Sequence, residues 1–100
     1  MHTLNLTIKK KWFDMIASGE KKEEYREIKP YYISRFQAWG NAFDQCRDFN
    51  VVKFRNGYSK SSLIITIECD GIVTGFGNPE WGAEAGKEYY IIKLGQIITP

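Results

Sequence analysis

Residues 19–26 read Gly-Glu-Lys-Lys-Glu-Glu-Tyr-Arg, and they separate two segments with helical patterning. This charged stretch contains no apolar stripe of helical period, so we predict a β-strand over Lys21 to Glu27. Gly19 is placed to end the preceding helix in a left-handed cap, because glycine adopts positive φ angles without strain. The stretch therefore predicts a helix, a sharp turn and then a charged strand.

The residues before this stretch predict a strand followed by that helix. Leu4, Leu6 and Ile8 alternate with polar residues, which is the period of a half-buried strand. From about Lys10 the period changes, and the apolar residues are spaced to share one side of a helix. They are Trp12, Phe13, Met15 and Ile16.

A second helix is predicted after the charged strand. Pro30 suits its first turn, where the missing N–H of proline costs nothing. Tyr32, Phe36 and Trp39 recur at the spacing of one buried helical face. Gly40 or Asn41 is expected to end the helix, and residues 41–50 are expected to form a loop.

The second half of the chain predicts strands. Asn56-Gly57, between Val51–Arg55 and residues from Tyr58 onward, fits a two-residue type I′ hairpin turn. The apolar run Leu63–Ile67 predicts a buried strand, which Gly71–Val73 continue after a turn or bulge. The remaining predictions are an irregular loop over Gly75–Gly86, a strand over Glu88–Leu94 and a short pairing at Ile97 and Ile98.

Together these elements predict an α+β fold. Two short N-terminal helices followed by strands with hairpin-length connections favour a small, partly closed mixed β-barrel flanked by the helices. The length of 100 residues suits one core, so residues 1–100 are expected to form a single domain.

Composition limits the function. The 14 Lys and Arg against 12 Asp and Glu give a net charge of only +2, so nucleic-acid binding would need a local patch. Cys46 and Cys69 stand alone and are expected to be buried free thiols. The only histidine is His2, so we expect no metal and no cofactor. No apolar run approaches the roughly 20 residues needed to cross a bilayer, and no signal peptide is evident, which predicts a cytoplasmic protein without membrane association.

Residues 19–26 also fit the pattern Gly-x-Lys-x-x-Glu-x-Arg without a mismatch, directly after an amphipathic helix. In this they resemble the signature of the ASCH family, and the predicted order of elements is similar to that family from end to end. The resemblance implies a small stand-alone domain with a barrel similar to the PUA domains of RNA-modifying enzymes. It also implies RNA or nucleotide binding, with Lys21, Glu24 and Arg26 lining a cleft beside the first helix.

The three motif residues can be assessed independently of the resemblance. In a regular strand Glu24 and Arg26 point to the same face, whereas Lys21 joins them only if the chain bends after Gly19. A carboxylate between two cations can then orient the guanidinium and leave the lysine free to donate to a ligand. The alternative is a solvated edge strand whose alternating charges resist aggregation.

Other patches are secondary candidates for binding. Lys9, Lys10 and Lys11 precede or open the first helix, where positive charge opposes the helix dipole, so they face either a phosphate at the mouth of the cleft or solvent. The predicted hairpin would place Lys53 opposite Lys60, and a basic face with an exposed tyrosine suits phosphate contact and stacking. That face consists of Lys53, Arg55 and Tyr58. Trp81 either stacks on a base or plugs the end of the barrel.

Three functions remain open from the sequence. The first is a module that binds RNA or a nucleotide. The second is a metal-independent hydrolase, because some short ASCH proteins are amidohydrolases acting on acetylated cytidine and others are linked to RNA cleavage. Here the chain departs from that branch, since Glu24 stands where it has a threonine, although a Lys21–Glu24 pair suits acid/base catalysis if burial lowers the lysine pKa. The third is a protein-interaction domain that uses the surface around Tyr31 and Trp81.

Overall fold

The computed structural model of the chain describes residues 2–37, 48–59 and 61–99. Its elements in chain order are β1 (Thr3–Ile8), α1 (Lys10–Ala17), β2 (Glu23–Glu27), α2 (Pro30–Phe36), β3 (Val51–Asn56), β4 (Ile64–Phe76), a 3-10 helix (Pro79–Trp81) and β5 (Glu88–Thr99). Some residues used in the predictions above lie outside the described residues, namely Trp39, Gly40, Asn41, Cys46 and Lys60.

Within the described residues, the strands form one sheet in the order β1-β3-β4-β5-β2. β1 and β3 are parallel, and every other neighbouring pair is antiparallel. The pairing of the long strands β4 and β5 shifts register between Thr66 and Gly71. Register shifts of this kind bend a strand, so the sheet curls around its core. The predicted α+β fold with a partly closed barrel is confirmed.

The core lies on the inner face of the curled sheet. Leu4, Leu6 and Ile8 of β1 are buried, while Asn5 between them is exposed. The side chain of Phe36 from α2 is fully buried against the same face. Each buried side chain of this size contributes about 1.5–3 kcal/mol. The other members of the core are Phe13, Ile16, Val52, Phe54, Ile65, Ile67, Ile72, Tyr90, Ile92 and Leu94.

The N-terminal half follows the predicted order. α1 ends at Ala17, and Gly19 then adopts a φ of 85°, in the region that favours glycine. The chain is still turning at Lys21, whose backbone N–H donates to the carbonyl oxygen of Met15 at 3.0 Å. β2 therefore begins at Glu23 rather than at Lys21. None of the helices in the described part of the chain is long and apolar enough to cross a membrane.

The predicted two-residue hairpin at Asn56-Gly57 is wrong. β3 and β4 are antiparallel neighbours, but Arg55 lies opposite Ile64 rather than Tyr58. A type I′ turn needs positive φ at both central residues. Gly57 meets this requirement with a φ of 84°, but no non-glycine residue in the described part of the chain has a positive φ.

Backbone hydrogen bonds explain why this connection is longer than predicted. Asn56 stays extended as the last residue of β3, and its N–H donates to the carbonyl oxygen of Leu63 at 3.0 Å. The Gly57 N–H donates to the carbonyl oxygen of Ile8 at 3.1 Å. The loop is therefore anchored on the end of β1, and it carries Tyr58 to that end of the sheet.

The apolar run Leu63–Ile67 is not buried throughout, contrary to the prediction. Leu63 precedes β4 and its side chain is 70% exposed, whereas Ile65 and Ile67 face the core. The run lies on an alternating strand, so only every second residue reaches the interior. Cys69 on β4 is a free thiol, and it is half-buried rather than fully buried.

The predicted glycine-rich loop is shorter than residues 75–86. β4 extends to Phe76, and a 3-10 helix over Pro79–Trp81 occupies part of the remaining connection. β5 is also longer than predicted, because it continues without a break through Ile97 and Ile98 to Thr99. The pairing of β4 with β5 through the register shifts accounts for both extensions.

Gly82, directly after the 3-10 helix, lies close to the Trp12 side chain of α1. A Cβ atom at Gly82 would lie 2.9 Å from Cζ2 of Trp12, whereas one at Gly86 would have no neighbour within 4 Å. Both glycines have positive φ, so alanine strains the backbone at both. We expect Gly82→Ala to lower the free energy of unfolding by about 1–3 kcal/mol more than Gly86→Ala does. Urea denaturation measures the difference, and equal losses would contradict the packing of Gly82 on Trp12.

Candidate functional site

Three charged side chains form a row that runs from the turn after α1 into β2. Among the described residues, Lys21 and Glu24 are the buried charged side chains, at 1% and 6% exposure. The Lys21 ammonium lies 3.2 Å from Oε1 of Glu24, and an Arg26 Nη2 atom lies 2.7 Å from Oε2. The predicted convergence of an ammonium, a carboxylate and a guanidinium is confirmed. The alternative of a fully solvated strand does not hold for these three side chains.

The turn after α1 brings Lys21 alongside β2. Lys21 and Glu24 are three positions apart, so an uninterrupted strand would point them to opposite faces. The positive φ of Gly19 and the backbone hydrogen bond of Lys21 to α1 hold Lys21 in the turn, outside the strand alternation. Glu24 and Arg26 are two positions apart in β2 and share a face.

Lys21 is fully enclosed. Its ammonium donates to the backbone carbonyl oxygen of Trp81 at 2.7 Å and lies 5.1 Å and 4.9 Å from the ring centroids of Trp12 and Tyr25. Burial lowers the pKa of Lys21, and the neighbouring Glu24 acts in the opposite direction. The expectation that this ammonium is free to donate to a ligand is wrong. The buried Lys21 ammonium instead holds the Glu24 carboxylate in place from the interior of the protein.

The Arg26 guanidinium donates hydrogen bonds to three acceptors, and one of its N–H groups has no partner among the described residues. Nη2 donates to Glu24 and, at 3.1 Å, to the carbonyl oxygen of Thr7, while Nη1 lies 3.3 Å from the Tyr32 hydroxyl. Burial acts to lower the pKa of Arg26, but Glu24 and Tyr32 outweigh it and raise that pKa. The buried Nε–H has no hydrogen-bond partner among the described residues. An unsatisfied buried donor is energetically unfavourable.

A cleft of about 500 Å³ opens above Glu24 and Arg26. One wall comes from Trp12 of α1, and another comes from the loop that Gly57 anchors on β1. This loop places Tyr58 at the rim, where its side chain is 92% exposed. The residues lining the cleft are Thr7, Ile8, Lys9, Trp12, Glu24, Arg26, Gly57 and Tyr58.

A polar basin of about 420 Å³ adjoins the cleft and shares Lys9, Glu24 and Arg26 with it. Positive and negative charges are nearly balanced there. Glu27 accepts a hydrogen bond from Lys87 at 3.2 Å, and this contact lowers the pKa of Glu27. The residues lining the basin are Lys9, Glu24, Tyr25, Arg26, Glu27, Lys29, Tyr32, Gly82, Glu84, Lys87 and Tyr89.

The structure brings some of the predicted site residues together and separates others. Glu24, Arg26 and Tyr58 line the cleft. Lys10 does not line it, because it pairs with Asp14 at 2.6 Å on the exposed side of α1.

Lys11 and Trp81 also lie outside the lining of the cleft. The Lys11 ammonium stands 4.6 Å from the ring centroid of Trp12, on the exposed side of α1. Trp81 supplies its backbone carbonyl to Lys21, and its half-buried ring does not line the cleft. Of the predicted alternatives, the arrangement therefore favours a solvent-facing Lys11 and a Trp81 ring outside the cleft.

Lys53 and Arg55 line a separate hollow of about 230 Å³, together with Asn5 and Ile64. Lys53 lies opposite Thr66 in the sheet, not opposite a second lysine as the hairpin predicted. The basic face therefore does not form around Tyr58, because the longer loop carries that ring to the cleft instead.

Trp12 is a cleft residue that sequence reasoning missed as a site residue, whereas Lys9 was predicted. Lys9 precedes α1 and belongs to the lysine cluster predicted at the mouth of the cleft, and it lines the cleft whereas Lys10 and Lys11 do not. Trp12 has the helical spacing of a core residue, and the structure leaves it half-buried at the edge of the core, facing the cleft. Nothing in the sequence pattern distinguishes such a boundary position from an interior one.

The buried position of Lys21 can be tested against its exposed neighbour Lys22. We expect Lys21→Met to lower the free energy of unfolding by about 1–3 kcal/mol, because the Trp81 carbonyl and one Glu24 oxygen lose their donor. Lys22→Met should change it by no more than about 0.5 kcal/mol. Chemical denaturation provides the comparison, and similar small effects for both variants would contradict the enclosed site of Lys21.

The cleft places a carboxylate acceptor, guanidinium donors and aromatic faces next to one another, a combination that suits a flat ligand with polar edges. Comparisons of the chain with family models, with curated proteins and with solved structures gave no match. The class of ligand is therefore inferred from the geometry of the cleft.

Proposed function

We propose that this protein binds a nucleotide, free or as part of RNA, in the cleft above Glu24 and Arg26. The observation that carries the proposal is the pairing of these two side chains at the floor of a cleft with aromatic residues on its walls. A base needs both donors and acceptors for its polar edge and an aromatic or apolar surface for its face.

The size and chemistry of the cleft support this ligand class. A volume of about 500 Å³ lies within the range of small-molecule sites. Trp12 and Tyr58 offer rings for stacking, and Glu24 can accept from an amino or imino group of a base. Arg26 and Lys9 both line the cleft. These two cations suit the phosphate or a carbonyl oxygen of the ligand.

Bulk charge contributes little to this binding. The net charge is +2, and the cations of the cleft, Lys9 and Arg26, are partly offset by Glu24. Each phosphate neutralised on a single strand changes the salt slope of log K by only about 0.7. Affinity must therefore come mainly from stacking and from specific hydrogen bonds.

The resemblance of residues 19–26 to the ASCH signature supports the same proposal. The lysine, glutamate and arginine of that pattern correspond to Lys21, Glu24 and Arg26, and the family is expected to bind RNA. We assign Lys21 a positioning role, because its ammonium is enclosed and bonded to Trp81.

A hydrolase is the second candidate, and the lowered pKa of Lys21 next to Glu24 favours it. Acid/base chemistry requires the reacting group to lie within hydrogen-bond reach of the substrate. The Lys21 side chain is only 1% exposed and does not line the cleft. Binding is therefore the function that this geometry supports better.

The proposal predicts measurable binding of at least one of the four ribonucleoside 5′-monophosphates. We expect Tyr58→Ala and Arg26→Lys each to lower the affinity for the tightest-binding monophosphate by about tenfold. The first variant removes a stacking ring, and the second removes the guanidinium. Isothermal titration calorimetry measures the affinities, and circular dichroism checks the fold. The matched control is Lys93→Ala, at an exposed residue of β5 that does not line the cleft.

Binding that survives unchanged in both variants would place the ligand elsewhere. Absence of binding for all four monophosphates and for single-stranded RNA alike would overturn the proposal. Release of product from an acetylated nucleoside by the wild-type protein would favour the hydrolase instead.

A further inference from the structure

A second hollow lies beyond Arg26, between the cleft and α2. It has a volume of about 190 Å³ and shares Thr7, Arg26 and Tyr58 with the cleft. We call it the α2 hollow. Its other lining residues are Asn5, Leu6, Tyr31, Tyr32 and Arg35.

Two exposed tyrosines border the α2 hollow. The side chain of Tyr31 is 58% exposed and that of Tyr58 is 92% exposed. One exposed ring on a surface needs no explanation. Two exposed rings on a single small hollow, with guanidinium groups in the same lining, form the combination that single-stranded nucleic-acid sites use.

The Tyr31 ring is positioned before any ligand arrives. It packs edge-on against Tyr32 with ring centroids 4.9 Å apart, and Tyr32 stacks on the fully buried Phe36 at 5.5 Å. Arg35 holds the other end, because its Nη1 donates to the Tyr31 hydroxyl at 3.0 Å and its guanidinium carbon lies 5.4 Å from the ring centroid. A ring braced in this way loses little conformational freedom when a base stacks on it.

Charge distinguishes the α2 hollow from the polar basin on the other side of the cleft. The described residues that line the α2 hollow include two guanidinium groups, Arg26 and Arg35, and no carboxylate. The polar basin contains Glu27 and Glu84 in addition to Glu24. A phosphodiester chain leaving the cleft is therefore favoured toward α2, where no carboxylate of the lining opposes it.

We propose that the α2 hollow is a second base-binding subsite and that the ligand is single-stranded RNA of two or more nucleotides, rather than a free mononucleotide. This inference rests on the proposed function of the cleft. Tyr58 lines both spaces, so its ring separates a base in the cleft from the next base in the α2 hollow. That next base stacks on Tyr31, and Arg35 lies beside the connecting phosphate.

The experiment compares two probes, the ribonucleoside 5′-monophosphate that binds best and a hexaribonucleotide of the same base. The variants are Tyr31→Ala and Tyr31→Phe, and the control is Phe76→Ala, an exposed aromatic residue that lines neither space. Tyr31→Ala should lower the affinity for the hexanucleotide by about tenfold, which is the effect of losing one stacked base, and should leave the affinity for the monophosphate unchanged. Tyr31→Phe keeps the ring face and loses only the hydrogen bond from Arg35, so it should weaken hexanucleotide binding less than Tyr31→Ala does and leave monophosphate binding unchanged.

Each other outcome has a definite meaning. If Tyr31→Ala leaves the hexanucleotide affinity unchanged while the monophosphate still binds, the second subsite is disproved and the proposed function of the cleft stands. An equal loss for both probes would make Tyr31 part of a single site and would also overturn the inference. If the wild-type protein binds neither probe, the proposed function fails, and the second subsite fails with it.

Discussion

The buried ion pair between Lys21 and Glu24, extended by Arg26, is the interaction on which the site depends. Removing an ion from water costs several kcal/mol, so such a group is tolerated only with good geometry and further hydrogen bonds. Here the contacts are 3.2 Å and 2.7 Å, and the Trp81 carbonyl accepts an additional bond from the lysine. Replacing one member alone leaves the others poorly compensated, which ties the shape of the cleft to all three side chains.

This row also connects parts of the chain that are distant in sequence. Lys21 reaches the loop after β4 through Trp81, and Arg26 reaches β1 through Thr7 and α2 through Tyr32. The cleft and the α2 hollow therefore share a support, because the guanidinium that forms the floor of one also lines the other. Side chains that are held in place before binding lose less conformational entropy when a ligand binds. The cleft and the α2 hollow can therefore bind a ligand although each is small and contains few charged groups.

The periodicity of the sequence predicted the elements that depend on local pattern. The connection after β3 and the burial of Lys21 depend on contacts between residues far apart in sequence, so they could not be predicted in this way. The strand at Leu4–Ile8, the first helix and the turn at Gly19 follow from spacing and glycine chemistry. The hairpin at Asn56-Gly57 failed because Gly57 bonds to Ile8, far away in sequence, and the chain gains that contact instead of a tight turn. Lys21 is the clearest example for the site: its position in the motif was predictable, but its burial depends on Trp81, 60 residues away.

The most direct measurement is ¹⁵N NMR of the Arg26 Nε–H and the Trp12 indole N–H during titration with the best-binding ribonucleoside 5′-monophosphate. Arg26 Nε lacks a partner among the described residues, and Trp12 forms a wall of the same cleft. If the charged row supports a nucleotide site, both resonances shift together and saturate at one affinity. If the ligand binds while both resonances stay unmoved, the row is only structural and the account is contradicted.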